Sequence, residues 1–196
     1  MNDLKNICVF CGSSDGNDAI ITRATQELGE KFASQGITLV YGAAKIGIMG
    51  SLAKTVLDNG GEVTGIIPGF LKKKEVVHLG LTNLITTKSM HERKLEMQNL
   101  SDGFIALPGG IGTLEELFEI FSWLQLGLHT KPIGLLNCNG FYDDLIQLLE
   151  TMVRKGFLSM ENYELLLVDT TVDGLLQKMK DFKAPRIPQW MNEDLT

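Results

Sequence analysis

The sequence predicts an α/β protein: a mainly parallel sheet of about seven strands, covered by helices on both faces. Two observations predict it. Seven short runs rich in β-branched and aliphatic residues alternate with stretches of helical periodicity, as in a chain of β-α-β units. Seven runs so connected imply a parallel sheet covered on both faces. At 196 residues the chain is of single-domain length. We expect one domain over residues 1–182 and a C-terminal tail over 183–196, where Pro185 and Pro188 break regular structure and Trp190 is free to dock on the body or on a second subunit.

The first run, "NICVFCG", sets Cys8 and Cys11 an odd number of residues apart, so their side chains leave opposite faces. With a third cysteine at 138, they read as core filling rather than as a redox or metal pair. Its apolar part is too short for a signal sequence. No stretch approaches the roughly 18 apolar residues of a membrane span, so a cytoplasmic protein is expected. A formal charge of −6, and no basic block beyond Lys72-Lys73-Lys74, speak against a nucleic-acid polymer as partner and for a small molecule.

In open parallel sheets, ligands gather beyond the carboxyl ends of the strands. Three turns at such ends are rich in small residues: "CGSSDG" (11–16) after the first run, "YGAAKIGIMG" (41–50) after "ITLVYG", and "PGGIGT" (108–113) after "GFIALPGG". None is a familiar nucleotide motif. Gly42 to Gly47 has P-loop spacing but is followed by Ile48 and Met49, not by Lys and a hydroxyl residue. The strands that should end in the acidic residue of a dinucleotide fold end in Tyr41 and Asn137. What remains is the physics common to those motifs: glycines permit close backbone approach, and the first N–H groups of a helix favour an anion.

The runs "GEVTGIIP" and "LTNLITT" follow, and after them the helix "SMHERKLEMQNL", opened by a Ser89–Glu92 capping box. Met90, Arg93, Met97 and Leu100 share one stripe of this helix, which puts a guanidinium on its inward face. A buried unpaired charge costs several kcal/mol, so Arg93 requires an anion, either a structural carboxylate such as Glu115 or Glu116 or a ligand. Lys94 falls on a more exposed phase, and His91 in the first turn is a weaker candidate acid. After "PGGIGT" the next helix is expected to begin near Thr113 as N-cap, with Glu116 completing a capping box and Leu114, Leu117, Phe118, Phe121 and Leu124 as the buried stripe. Glu115, Glu116 and Glu119 lie off that stripe, beside a presumptive anion site; a carboxylate there either caps the helix or faces the ligand's reacting centre. The last two runs are "KPIGLLN" and "YELLLVD".

With "PGGIGTLEE" and "MHERKLEM" both in view, the sequence resembles the LOG (Lonely Guy) family, the cytokinin riboside 5′-monophosphate phosphoribohydrolases, a likeness that extends from "ICVFCGSS" through "PIGLLNCNGFYDDL" to "GF". The family's P-G-G-x-G-T-x-x-E motif falls on Pro108, Gly109, Gly110, Gly112, Thr113 and Glu116; its arginine–lysine pair on Arg93 and Lys94; and a substrate-binding glutamate after the third strand on Glu75. The chain departs from the family in reading Gly42-Ala43-Ala44 where three glycines are usual, while Gly47, Met49 and Gly50 match. The resemblance implies a Rossmann-like three-layer fold, a homodimer with shared sites, and hydrolysis of a purine nucleoside 5′-monophosphate, including N6-modified adenine, to free base and ribose 5-phosphate. It implies no metal or coenzyme.

On this reading Arg93 and one of Glu115 and Glu116 are catalytic. Substrate contacts are expected from Gly12, Ser13, Ser14, Gly42, Gly47, Met49, Glu75, Met90, Lys94, Pro108, Gly109, Gly110, Gly112 and Thr113. The rival is a carrier that holds a nucleotide or molybdopterin without turning it over. A lysine decarboxylase is rejected, because no lysine lies in a convincing pyridoxal-binding context.

Overall fold

A computed structural model describes residues 2–72 and 77–184. All seven expected strands form: β1 (Asn6–Phe10), β2 (Thr38–Tyr41), β3 (Val63–Pro68), β4 (Asn83–Thr87), β5 (Gly103–Ala106), β6 (Ile133–Leu136) and β7 (Leu166–Asp169). They build one sheet in the order β4-β3-β2-β1-β5-β6-β7, and every pairing in it is parallel.

Helices α1 (Ala19–Gln35), α2 (Gly47–Asp58) and α7 (Val172–Asp181) cover one face. On the other face lie α3 (Met90–Leu100), α4 (Ile111–Gln125) and α5 (Asp143–Arg154); the short α6 (Met160–Tyr163) packs against α5. This is the Rossmann-like three-layer arrangement. Side chains of β1 alternate between the two cores: Ile7, Val9 and then Cys11 join the α1/α2/α7 side, and Cys8 and Phe10 the other. The cysteines therefore leave opposite faces as their spacing requires, and all three thiols are buried and free.

Packing, more than propensity, fixes the helices. In α2, Leu52, Ala53 and Val56 are fully buried on one stripe, and truncating Leu52 to alanine would cost about 2–5 kcal/mol. Asp18 caps α1, its Oδ1 accepting from the Ile20 N–H at 2.8 Å. The box that opens α3 also forms. Ser89 Oγ accepts from the Glu92 N–H at 3.1 Å, and the Glu92 carboxylate reaches one residue beyond the cap, to the Lys88 N–H at 2.6 Å.

The order of the sheet decides where a ligand belongs. Connections run outward one way from β1 through β2, β3 and β4, and the other way from β5 through β6 to β7. A crevice therefore opens between β1 and β5 at their carboxyl ends, the switch point of such folds. The turns there are the Cys11–Gly16 and Pro108–Thr113 segments. The proposed tail begins in coil at Lys183 and Ala184; residues 185–196, with Pro185, Pro188 and Trp190, lie outside the described residues.

Candidate active site

The first turn is hydrogen-bonded to both of the others. The Gly12 N–H donates to Pro108 O at 3.2 Å, tying the β1 and β5 ends together, and Tyr142, with its hydroxyl 2.6 Å from Leu107 O, pins the same strand end from below. Gly47 has φ +66°, and a side chain on it would run into the backbone of Ser13 and Ser14. In return the Ile48 and Met49 N–H groups donate to Ser14 O at 3.4 Å and Gly12 O at 3.1 Å. The three glycine turns are thus not three equal anion cradles. The first amides of α2 are consumed by the first turn.

The third turn differs. Sequence reasoning put the α4 N-cap at Thr113; the cap is Gly110, without a side-chain hydrogen bond, and Thr113 is the third helical residue. The Thr113 side chain instead packs inward, 4% exposed, filling the space a Cβ on Gly109 would need. Its hydroxyl caps nothing, and Glu116 completes no capping box. Among the described residues the N–H groups of Gly110, Ile111 and Gly112 find no acceptor, which leaves the positive end of α4 open. A side chain added at Gly110 or Gly112 would meet nothing within 4 Å, and neither has positive φ. Nothing inside the protein asks for glycine at either place. Beside Gly110 a recess of about 400 Å³ is lined by Gly12, Ser13, Ser14, Asp15, Asp18, Ile21, Pro108 and Phe141.

Arg93 faces inward, as its phase on α3 predicts, and is 6% exposed. Its guanidinium points Nη2 at Gly42, just past the end of β2. A Cβ there would overlap Nη2 and sit 3.3 Å from both the guanidinium carbon and the Met49 sulfur. On the other side Nη1 is 3.8 Å from the Met90 sulfur. Nε is buried and has no partner, and no ion pair to Arg93 forms among the described residues. The structural salt bridge to Glu115 or Glu116 is absent. Met90 and Leu100, expected on the buried stripe, are 37% and 36% exposed, because the two ends of α3 overhang the sheet; only Arg93 and Met97 are covered.

The three glutamates of α4 separate into two classes. Lys94, expected on the exposed side, is the hub of the α3–α4 contact: its Nζ lies 2.7 Å from Glu115 Oε1 and 2.9 Å from Glu119 Oε1. Burial works against its charge, yet the two carboxylate hydrogen bonds outweigh that and raise its pKa. Among the described residues Glu116 makes no hydrogen bond, whereas the Lys94 ammonium binds Glu115 and Glu119. Burial pushes its pKa up to about 7, opposed by Arg93 and Lys94 and helped by Glu115 and Glu119. A half-buried carboxyl pushed toward neutrality near a guanidinium with no anionic partner among the described residues makes a candidate ligand site. Glu115 is mostly exposed and already paired.

Of the remaining expected residues, His91 points to solvent and Glu75 lies outside the described residues. The methyl of Ala43, at φ +63°, packs against Gly65 of β3, where an added side chain would stand 2.7 Å from it. The Ala43 carbonyl accepts from His78 N–H at 3.0 Å, and Ala44 bridges to Val77. Sequence reasoning missed the Lys94 hub; the i, i+4 spacing of Glu115 and Glu119, which sets two carboxylates on one helical face, was the available signal. Among the described residues no group of three or more His, Cys, Asp and Glu side chains is arranged to hold a metal.

The chain is similar to known proteins in sequence and in fold. A family model described as "Possible lysine decarboxylase" matches residues 49–179. The chain is 44% identical over 193 residues to a rice (Oryza sativa subsp. japonica) protein named "Probable cytokinin riboside 5'-monophosphate phosphoribohydrolase", covering 95% of this chain and 86% of that one. It is 43% identical over 178 residues to the Arabidopsis thaliana cytokinin riboside 5′-monophosphate phosphoribohydrolase, covering 91% and 84%. The molybdenum cofactor binding protein of Rippkaea orientalis superposes with TM-score 0.68 at 20% identity over 91% of this chain and 97% of that one, a likeness of fold alone.

Proposed function

The chain belongs to the LOG family, and on that premise we propose that it hydrolyses the N-glycosidic bond of a purine nucleoside 5′-monophosphate, adenine or N6-modified adenine, giving free base and ribose 5-phosphate. The observation that carries the reading is Arg93: a guanidinium buried without an anionic partner among the described residues, near a carboxyl pushed toward neutrality, at the carboxyl ends of the central strands of a parallel sheet.

In the reaction the C1′–N9 bond breaks with its electron pair going to the base, the sugar passes through an oxocarbenium-like state, and water adds at C1′. The ionised carboxylate of Glu116 stabilises that cation and orients the water. Arg93, with Nη2 against Gly42 and Nη1 near the Met90 sulfur, hydrogen-bonds the departing base as it takes on negative charge. The phosphate docks on the free amides at the start of α4, with Ser13 and Ser14 opposite. Glu115, bound to Lys94, is the weaker of the two candidate carboxylates. No metal or coenzyme enters these steps.

We further propose a cytoplasmic homodimer. Among the described residues no helix is long and apolar enough to cross a membrane, and α3 leaves Met90, Leu95 and Leu100 exposed for a second copy to cover.

The test is a panel of nucleoside 5′-monophosphates with ribose 5-phosphate as readout, applied to the wild type and to Arg93→Ala, Glu115→Gln and Glu116→Gln. Glu116→Gln and Arg93→Ala are expected to lose on the order of 100-fold or more in kcat, and Glu115→Gln far less. Near-normal turnover in all three would end the assignment.

A further inference from the structure

Three glutamates lie within five residues of α4, on the helix beside a buried arginine that needs an anion, yet none of them pairs with it. An unoccupied guanidinium next to free carboxylates should capture one, and a captured Arg93 would be closed to a ligand. Something keeps the glutamates apart from it. The next residue on α3 is Lys94, whose single ammonium is shared between Glu115 and Glu119. The i, i+4 spacing sets those two carboxylates one turn apart on one face of α4, whereas Glu116 lies about 100° around the helix from Glu115 and about 60° from Glu119, and is left out of the clamp. Lys94 and Glu119 are largely buried in this contact, with side chains 16% and 26% exposed. Lys94 also lines, together with Glu116, Glu119, Phe10, Phe104 and Trp123, a cavity of only about 10 Å³ between α4 and the sheet, too small for any part of a nucleotide.

Resting on the function proposed above, we propose that Lys94 is a positioning residue and not a substrate ligand: it withdraws Glu115 and Glu119 from Arg93 and leaves Glu116 alone to share the site with the guanidinium. The arrangement also sets the charge around Glu116. The charges acting on it are those of Arg93 and Lys94 from α3 and of Glu115 and Glu119 from α4 itself, and its own charge reaches the buried, neutral thiols of Cys8 and Cys11 at β1 and its end. The ammonium offsets the two neighbouring carboxylates; removing it exposes Glu116 to both.

The experiment follows the Glu116 carboxyl directly, by carbon NMR of glutamate-labelled protein titrated with acid, alongside the pH dependence of kcat/KM for AMP. In Lys94→Met the Glu116 midpoint is expected to rise by on the order of one pH unit, as for loss of a neighbouring opposite charge, with the acid limb of kcat/KM moving by the same amount. In Glu115→Gln/Glu119→Gln both fall. Lys94→Arg restores wild-type behaviour, and the triple variant returns toward it. A higher KM for Lys94→Met with an unmoved Glu116 midpoint would make Lys94 a substrate ligand and overturn the proposal. So would no change in either quantity. If Lys94→Met does not fold, the double glutamine variant decides, since an unmoved midpoint there also overturns it. A wild type that releases no ribose 5-phosphate defeats the proposed function, while the NMR titration still reports whether Lys94 governs Glu116.

Discussion

Replacing Gly112 with alanine should strengthen the fold and weaken the site. The position is the second residue of α4, exposed, with negative φ and no atom within 4 Å of where a Cβ would stand. Alanine in place of glycine within a helix gains roughly 0.5–1 kcal/mol, with the lower figure apt for a first turn. At about 2–4 °C per kcal/mol for a domain of this size, Tm should rise by about 1–2 °C. A phosphate resting on the Gly110, Ile111 and Gly112 amides approaches the space the new methyl would fill. Loss of one charge-assisted hydrogen bond, about 1.5–3 kcal/mol, corresponds to a roughly 10- to 100-fold rise in KM. Scanning calorimetry and steady-state kinetics with AMP read the two effects separately. Gly109→Ala is the control: its Cβ would stand 2.8 Å from the Gly12 nitrogen, so it should lose stability outright. If Gly112→Ala is destabilised by several degrees, or keeps its KM, the glycine serves the fold or nothing, and the anion cradle is misplaced.

Three further outcomes are expected. Because burial lifts the Glu116 pKa from 4.5 to about 7, its ionisation destabilises the native state as pH rises through that range; Glu116→Gln should therefore gain in Tm over wild type from pH 6 to pH 8 in calorimetric scans, and a constant difference would refute the raised pKa. His129 is the opposite case. Its ring accepts the Lys131 N–H at 3.1 Å and bonds Ile120 O at 2.8 Å, and burial lowers its pKa, so it favours the fold above the unfolded value near 6.5 and that advantage is lost as pH falls below it; urea midpoints at pH 7.5 and 5.5 should differ more in wild type than in His129→Gln. Ala43→Gly removes a left-handed alanine and should stabilise by about 1 kcal/mol or less, the gain being limited by the looser unfolded chain; a loss above 1 kcal/mol in denaturant titration would mean that the methyl packed on Gly65 outweighs the backbone cost.

All seven strands were legible: the central ones, buried on both faces, are written as apolar runs, the partly exposed β4 at the sheet edge is marked by its β-branched residues, and the inward aim of Arg93 followed from helical phase alone. The start of α4 was not. Gly110-Ile111-Gly112 combines low helix propensity with an isoleucine 83% exposed, so the capping pattern at Thr113 looked more persuasive than the true beginning. Phase failed for Lys94 for another reason: it measures distance from a helix's own core stripe, while Lys94 is covered by the neighbouring helix α4. The glutamate pair could likewise be ranked only once that contact was visible. That the α2 amides are spent on the Gly12–Ser14 turn is a tertiary fact no spacing discloses.

Product analysis tests the central claim most directly: incubate the protein with AMP or an N6-substituted AMP, and quantify free base and ribose 5-phosphate for wild type and Glu116→Gln side by side. Equimolar base and ribose 5-phosphate from the wild type, with at least about 100-fold less from the variant, is the predicted result. Nucleotide recovered intact from the wild type, or undiminished products from Glu116→Gln, would contradict it.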